Sequence, residues 1–187
     1  KFNDKKFQFS LNDLLKLSSP KTKIIFLANP NNPTGSIFYK QELVKFLDRV
    51  NKKTLVVLDD AYCEYIEDKN YDSGMNLVKK YPNLMITRSF SKIFALGGLR
   101  IGWGYGSKKI IEALNIIKPP FNVNEVGQKA ALESLKDSKF LSRSIKHNIF
   151  YAKKLKFFLN KYDITSNKVS ANFLLLNFKK CKFKANY

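Results

Sequence analysis

Hydrophobic and polar positions change period several times along this chain, and the changes mark out its elements. Residues 24–28 form a short, continuous apolar run, the pattern of a strand buried on both faces. The turn-rich stretch 29–35 closes it. Across 41–50, apolar residues recur at Leu43, Val44, Phe46, Leu47 and Val50, a helical spacing. Residues 54–58 read as a second buried strand, ended by Asp59 and Asp60. A helical stretch at 75–80 leads to a third strand at 84–87, the loop 88–99 and a strand-like run at 100–105. Helices are predicted at 108–117, stopped by Pro119 and Pro120, and at 124–135 and 138–162. A last strand is predicted at 173–178.

Strands that alternate with helices and are apolar throughout predict an α/β domain around a largely parallel sheet. Ligands in such sheets sit beyond the carboxyl ends of the strands. Three polar clusters fall there: 29–35, 59–62 and 89–92. After Pro120 the chain changes to long helices and one strand. A domain boundary is therefore expected near residue 147, giving units 1–147 and 148–187.

Composition narrows the function classes. The 187 residues are 44% hydrophobic and 14% aromatic, which supplies a core and excludes a disordered tail. No apolar run approaches the ~20 residues of a membrane-spanning helix, so no membrane partner is expected. Cys63 and Cys181 are too few for a disulfide framework and too far apart to read as a metal pair. A lone histidine, His147, argues against a His-based metal site or a Ser-His-Asp triad, so no metal is expected; it reads as a packing or surface residue.

The formal net charge is +19, from 34 Lys plus Arg against 15 Asp plus Glu. That balance raises polyanion binding. Arginine, whose fork reads base edges, occurs only at Arg49, Arg88, Arg100 and Arg143. The lysines are scattered, with small clusters at Lys5-Lys6, Lys52-Lys53, Lys153-Lys154 and between Lys179 and Lys184. The favoured reading is a solvated lysine surface without specific nucleic-acid binding. The chain begins at Lys1 without an initiator Met and stops at Tyr187 soon after an apolar run, so a piece of a longer protein is expected.

Each polar cluster has a plain reading and a chemical one. In Ser89-Phe90-Ser91-Lys92, a partly desolvated lysine near other cations loses basicity and can attack a carbonyl. The same residues also suit an ordinary surface loop. Asp59, closing a buried strand, is costly there unless something cationic pairs with it; it also suits a turn cap, with Tyr62 merely packing. Asn29-Pro30-Asn31-Asn32-Pro33-Thr34-Gly35 is explained by turn chemistry alone. Cys63 reads as a small buried residue.

The combination says more than the parts. Asn-Pro-Asn-Asn-Pro-Thr-Gly after one strand, Asp-Asp-Ala-Tyr after the next, then Ser-Phe-Ser-Lys and Gly-Gly-Leu-Arg, in that order, resemble the class I/II aminotransferases. These are pyridoxal-phosphate enzymes of fold type I. The resemblance runs from about Ser10 to Leu176. Two further stretches, residues 118–124 (Lys-Pro-Pro-Phe-Asn-Val-Asn) and 171–175 (Ala-Asn-Phe-Leu-Leu), look most like the histidinol-phosphate aminotransferases.

The resemblance implies a three-layer, mostly parallel α/β large domain (1–147) and the start of a small α/β C-terminal domain (148–187). It implies pyridoxal 5'-phosphate as cofactor, attached to Lys92. Asp59 matches the group that pairs with the pyridine nitrogen. Tyr62 and Asn32 match those bonding the phenolic oxygen. Ser89, Ser91 and Arg100 match phosphate ligands. Gly35, Gly97 and Gly98 match backbone-permitting positions, and Asp60 stands where many relatives carry glutamate. The resemblance further implies a cytoplasmic homodimer moving an amino group from a donor, glutamate being the usual one, to a small keto acceptor such as imidazole acetol phosphate. An aromatic-amino-acid aminotransferase and a phosphothreonine decarboxylase share these motifs. The family's glycine-rich phosphate turn, ring-stacking aromatic and partner-subunit contact are expected upstream of Lys1, and its carboxylate-binding arginine beyond Tyr187.

Overall fold

The computed structural model describes residues 2–3 and 8–180, with side chains described from residue 10 to 180. Cys181 and the lysines at 5, 6, 182 and 184 lie outside the described side chains. A two-residue ribbon, β1 (Phe2–Asn3) antiparallel to β2 (Gln8–Phe9), precedes α1 (Leu11–Leu17). Ser10 caps α1 by accepting the Asn12 N–H at its hydroxyl, filling one of the orphan donors of the first turn.

A four-stranded sheet organises the chain. Its order is β3 (Ile24–Ala28), β4 (Leu55–Asp59), β5 (Leu84–Ser89) and β6 (Gly102–Gly106). The first three strands run parallel, as the apolar runs predict, and β6 pairs antiparallel to β5. The register aligns Ala28, Asp59 and Thr87 across the carboxyl ends of β3, β4 and β5.

The main core lies between this sheet and α1 and α2 (Lys40–Arg49). Ile25, Leu27, Val56, Leu58 and Ile86 from the strands meet Leu43, Phe46 and Leu47 from α2. Each such buried side chain contributes about 1.5–3 kcal/mol relative to exposure. Glu42 accepts the Tyr39 N–H at 2.9 Å, fixing where α2 starts. The sheet's other face carries Val57 and Met85, also buried.

Several expectations shift. The run 24–28 is buried on one face only, with Phe26 75% exposed, because β3 is the edge of the described sheet and its second face has no neighbour there. The strand-like run at 100–105 begins two residues later, since Arg100 takes a left-handed conformation that ends a turn instead of starting a strand. The stretch 75–80 makes one 3₁₀ turn, Met75–Leu77. The last strand shrinks to β8 (Leu176–Asn177), antiparallel to β7 (Thr165–Ser166).

Helices α3 (Lys108–Ile117), α4 (Glu125–Lys136) and α5 (Ser138–Asn160) form close to where their periodicity places them. Asn124 and Asp137 cap α4 and α5 by accepting the N–H of Gly127 and Phe140. Their apolar faces are only partly covered: Ile116, Ile117, Leu132 and Phe157 are exposed. Leu141 and Ile145 of α5 pack with Tyr62, Tyr65, Ile93 and Ala171. This small cluster places α5 and residue 171 beside the ends of β4 and β5.

Candidate active site

The three polar loops predicted to matter emerge together at the carboxyl edge of the parallel strands. The first leaves β3 at Asn29, which is fully buried and held on four sides. Its N–H donates to Asp59 O at 2.9 Å. Its amide donates to Phe38 O at 3.1 Å and accepts the Phe38 N–H at 2.7 Å. Its carbonyl accepts the Tyr71 hydroxyl at 3.0 Å. This anchor fixes the root of the loop that presents Asn32.

Gly35 ends the tight part of that loop, and here glycine is required. Its φ is +65°, and a Cβ would collide with the Asn167 side chain. Thr34 O accepts the Asn167 amide at 2.6 Å, and Gly35 O accepts the Ser170 hydroxyl. The loop is therefore seated against residues 167–170.

Asn32 and Tyr62 meet: the Asn32 amide donates to the Tyr62 hydroxyl at 3.1 Å. Tyr62 is buried, its ring edge-on to Phe173 at 5.2 Å. The Lys92 ammonium lies 5.4 Å from the centre of the same ring. Lys92 itself is exposed. Its side chain borders a cavity of about 410 Å³ shared with Arg143, His147, Asn148 and Asn172. A larger cavity, about 840 Å³ between Phe90, Trp103, Phe121 and Leu132, holds none of the predicted residues.

Ser89, Ser91 and Arg100 form a second group. Ser89 Oγ accepts the Ser91 N–H at 3.0 Å, turning the chain sharply after β5. Arg100 NH1 donates to Gly97 O at 2.8 Å and to Ser91 Oγ at 3.4 Å. Two hydroxyls and an exposed guanidinium side by side are a donor set that suits a phosphate. The glycine reading of this turn is corrected at Gly97 and Gly98. Neither has positive φ, a Cβ on Gly97 would make ordinary contact, and one on Gly98 would meet nothing. The left-handed positions are Ala95 (φ 58°) and Arg100 (φ 54°).

Asp59 stands between Ala28 and Thr87, with Oδ1 accepting the Ala61 N–H at 3.1 Å. The expected desolvation does not fall on it: Asp59 is exposed, and its neighbour Asp60 is the buried carboxylate. Burial pushes Asp60 up to about 8, only partly opposed by Arg88. Strand alternation carries the signal for this, since adjacent residues of an extended chain point to opposite faces. Burial also raises the Cys63 thiol and pushes the Tyr65 phenol up to about 12, consistent with Cys63 as a buried, unreactive residue. No cluster of three His, Cys, Asp or Glu side chains suited to a metal occurs among the described residues.

Sequence reasoning passed over Arg88 and Glu64, which surround Asp60, and Arg143, Asn148 and Asn172, which line the cavity beside Lys92. The cavity residues are separated from Lys92 by dozens of positions, so only the packing of α5 brings them in.

The family model "Aminotransferase class I and II" matches residues 2–181. A histidinol-phosphate aminotransferase of Pelagibacter ubique is 54% identical over 184 residues, 98% of this chain and 51% of that protein. One of Zymomonas mobilis is 42% identical across 94% of this chain and 48% of its own length. Among solved structures, the histidinol-phosphate aminotransferase of Sinorhizobium meliloti in complex with pyridoxal-5'-phosphate superposes with a TM-score of 0.87 at 26% identity, covering 96% of this chain and 48% of that one. The Clostridium acetobutylicum enzyme gives 0.82, at 26% identity, over 95% and 54%. The chain thus spans about half the length of the relatives it matches. On the family match, the relatives' identity and the shared fold, this chain belongs to the class I and II aminotransferases.

Proposed function

We propose that the protein containing this chain is a pyridoxal-phosphate-dependent aminotransferase acting on histidinol phosphate and its keto counterpart, imidazole acetol phosphate, with glutamate as the amino donor. The observation that carries the reading is the meeting of Lys92 with the hydrogen-bonded Asn32–Tyr62 pair at the carboxyl edge of the sheet. The names of the relatives support the substrate assignment.

The residues fit the cofactor by their chemistry. Lys92 supplies the primary amine that holds it covalently. Asn32 and Tyr62 supply paired hydrogen-bonding groups for its phenolic oxygen. Asp59 offers an exposed carboxylate for a protonated ring nitrogen. Ser89, Ser91 and Arg100 supply the donors for its phosphate. When bound, the cofactor acts as the electron sink that lets an α-proton leave. Lys92 Nζ, on a side chain free to reach solvent, takes that proton and returns it elsewhere. Asp59 keeps the ring nitrogen charged, and Tyr62 tunes the basicity of the amine.

The lysine surplus is read as a solvated surface that draws anionic substrates inward. Among the described residues, no helix is long and apolar enough to cross a membrane. A cytoplasmic homodimer is part of the same proposal. The units 1–147 and 148–187 are proposed as the large domain and the start of a small one.

Borohydride reduction of the full-length protein with pyridoxal phosphate, followed by peptide mapping, tests the reading. A label on Lys92 is expected, and a label on another lysine, or none, overturns it. Assay with histidinol phosphate, phenylalanine and phosphothreonine tests the substrate. Turnover of histidinol phosphate is expected, and turnover of only one of the others moves the protein to that reaction.

A further inference from the structure

Behind the candidate site, two carboxyl groups and a guanidinium meet largely out of solvent. Asp60 is 0% exposed, and neither of its carboxylate oxygens accepts a hydrogen bond among the described residues. Arg88 Nε stands 3.6 Å from Asp60 Oδ2 and also lacks an acceptor. Arg88 NH1 donates to Glu64 Oε1 at 2.8 Å. The guanidinium lies 5.6 Å from the centre of the Trp103 ring, which β6 places opposite Arg88. Two carboxyl groups thus share one guanidinium.

The position of this cluster matters more than its energy. Arg88 is on β5, one residue before Ser89 and four before Lys92. Asp60 and Glu64 flank Ala61, Tyr62 and Cys63 in the segment leaving β4. Because successive side chains of an extended strand alternate in direction, Arg88 and Ser89 face opposite ways, as do Asp60 and Asp59. The cluster therefore ties, from behind, the two segments that carry the candidate residues in front. Among the described residues, backbone pairing supports the same junction only at its base, where Asp60 N donates to Thr87 O at 2.9 Å. Beyond that bond, the Arg88 side chain provides the polar link between the 60–65 segment and β5.

A buried ion pair left partly unsatisfied is a poor way to gain stability, since apolar side chains of equal volume do as well or better. Such a cluster does fix relative position, because loss of the cation leaves the buried Asp60 carboxyl group and the part-buried Glu64 carboxylate without a partner, and the segment carrying them must move toward water. We propose that Arg88 is a positioning residue: by bridging Asp60 and Glu64 it clamps the segment after β4 to β5, holding Asp59 and Tyr62 in place relative to Lys92. The purpose assigned to the clamp rests on the proposed function; the clamp itself is a property of this chain.

Cys63 provides a reporter within the clamped segment. It is buried between Tyr62 and Glu64, so its rate of alkylation, resolved from Cys181 by mass spectrometry, follows local opening. The full-length protein is tested free of cofactor and loaded with pyridoxal phosphate. In Arg88→Met without cofactor, Cys63 is expected to label about tenfold faster or more than in the wild type. Affinity for pyridoxal phosphate is expected to fall about tenfold, and kcat about thirtyfold with KM nearly unchanged. Arg88→Lys, which keeps the charge without the fork, is expected to recover part of each loss. Should Arg88→Met fail to fold, Glu64→Gln, which leaves Arg88 beside Asp60, is expected to shift Cys63 labelling and cofactor affinity the same way by a smaller factor. A folded variant with wild-type Cys63 labelling and wild-type cofactor affinity overturns the clamp. Faster Cys63 labelling together with no borohydride-trapped label on wild-type Lys92 instead upholds the clamp and overturns the functional reading.

Discussion

The Asn32 amide donates to the Tyr62 hydroxyl at 3.1 Å, linking the loop after β3 to the segment after β4. Tyr62 is the shared member of the site, because its ring also faces the Lys92 ammonium at 5.4 Å and meets Phe173 edge-on at 5.2 Å. Tyr62→Phe keeps the ring and removes one hydroxyl. Unfolding free energy is expected to change by only about 1 kcal/mol, the net worth of one hydrogen bond. The visible absorbance of the cofactor-loaded protein is expected to change its pH dependence. With Asn32→Ala, a double-mutant cycle on cofactor affinity is expected to show coupling of about 0.5–1.5 kcal/mol. Strict additivity would separate the two roles.

Lys92 is exposed and its ammonium makes no hydrogen bond among those described, so the fold does not depend on its amine. Lys92→Ala is expected to abolish transamination and the borohydride-trapped label in the full-length protein. Its stability is expected to stay within about 0.5 kcal/mol of the wild type, as at other exposed sites. Urea unfolding followed by circular dichroism measures this. Loss of stability well beyond that range would give the lysine a structural role.

Asp59 and Asp60 are adjacent in sequence and opposite in environment, one exposed and one buried. They should therefore separate in function. Asp59→Asn is expected to lower kcat by several powers of ten, a loss of about 4 kcal/mol or more of transition-state stabilisation, through a weakened charge at the cofactor nitrogen. Asp60→Asn is expected to change stability, as argued below, and to lower kcat far less. Steady-state kinetics of both variants on the full-length protein checks the contrast.

The strands and loops of this site were legible in the sequence because each rests on local pattern. Apolar runs gave β3, β4 and β5, and the polar clusters at 29–35, 59–62 and 89–92 fell at their carboxyl ends, where a parallel sheet exposes side chains. The meeting of Asn32 with Tyr62 was implied by resemblance to a family, since a separation of thirty positions carries no spacing rule. What remained hidden was nonlocal or depended on facing. One-sided burial of β3 depends on which neighbours a strand lacks, and a continuous apolar run does not encode that. The Asp60–Arg88–Glu64 cluster joins the segment after β4 to β5, and only strand alternation at Asp59 and Asp60 hinted at it. The left-handed turns fell on Ala95 and Arg100 instead of the nearby glycines, and no local sequence pattern marks those two positions.

Gly35 combines a φ of +65° with a Cβ direction already filled by Asn167. Gly35→Ala therefore meets two penalties. The left-handed conformation costs roughly 1–2 kcal/mol for a residue with a Cβ, and the collision displaces the Asn167 amide from Thr34 O. A loss of about 2–3 kcal/mol in urea unfolding is expected. Gly98→Ala, where a Cβ would meet nothing and φ is not positive, is the matched control and is expected to be neutral or slightly stabilising. Equal effects at the two positions would remove the reason given for glycine at 35.

Asp60 makes stability depend on pH in a direction opposite to an ordinary paired carboxylate. Burial, aided by Glu64, Asp59 and Asp72 and opposed by Arg88, raises it from 3.8 to about 8. The folded chain therefore holds a proton that the unfolded chain releases. Linkage then requires that this contribution be complete below about pH 3.8 and be lost as pH rises toward 8. The slope is bounded by one proton, about 1.4 kcal/mol per pH unit. Asp60→Asn removes the titration and keeps a similar volume. Urea unfolding of both proteins at pH 5, 6, 7 and 8 isolates the term, because every other group is common to both and cancels in the difference. The wild type is expected to lose stability relative to Asp60→Asn at each step up to about pH 8 and to run parallel above it. A difference that stays flat, or that favours the wild type as pH rises, would mean that Arg88 holds Asp60 ionised across this range and that the cluster carries two full negative charges.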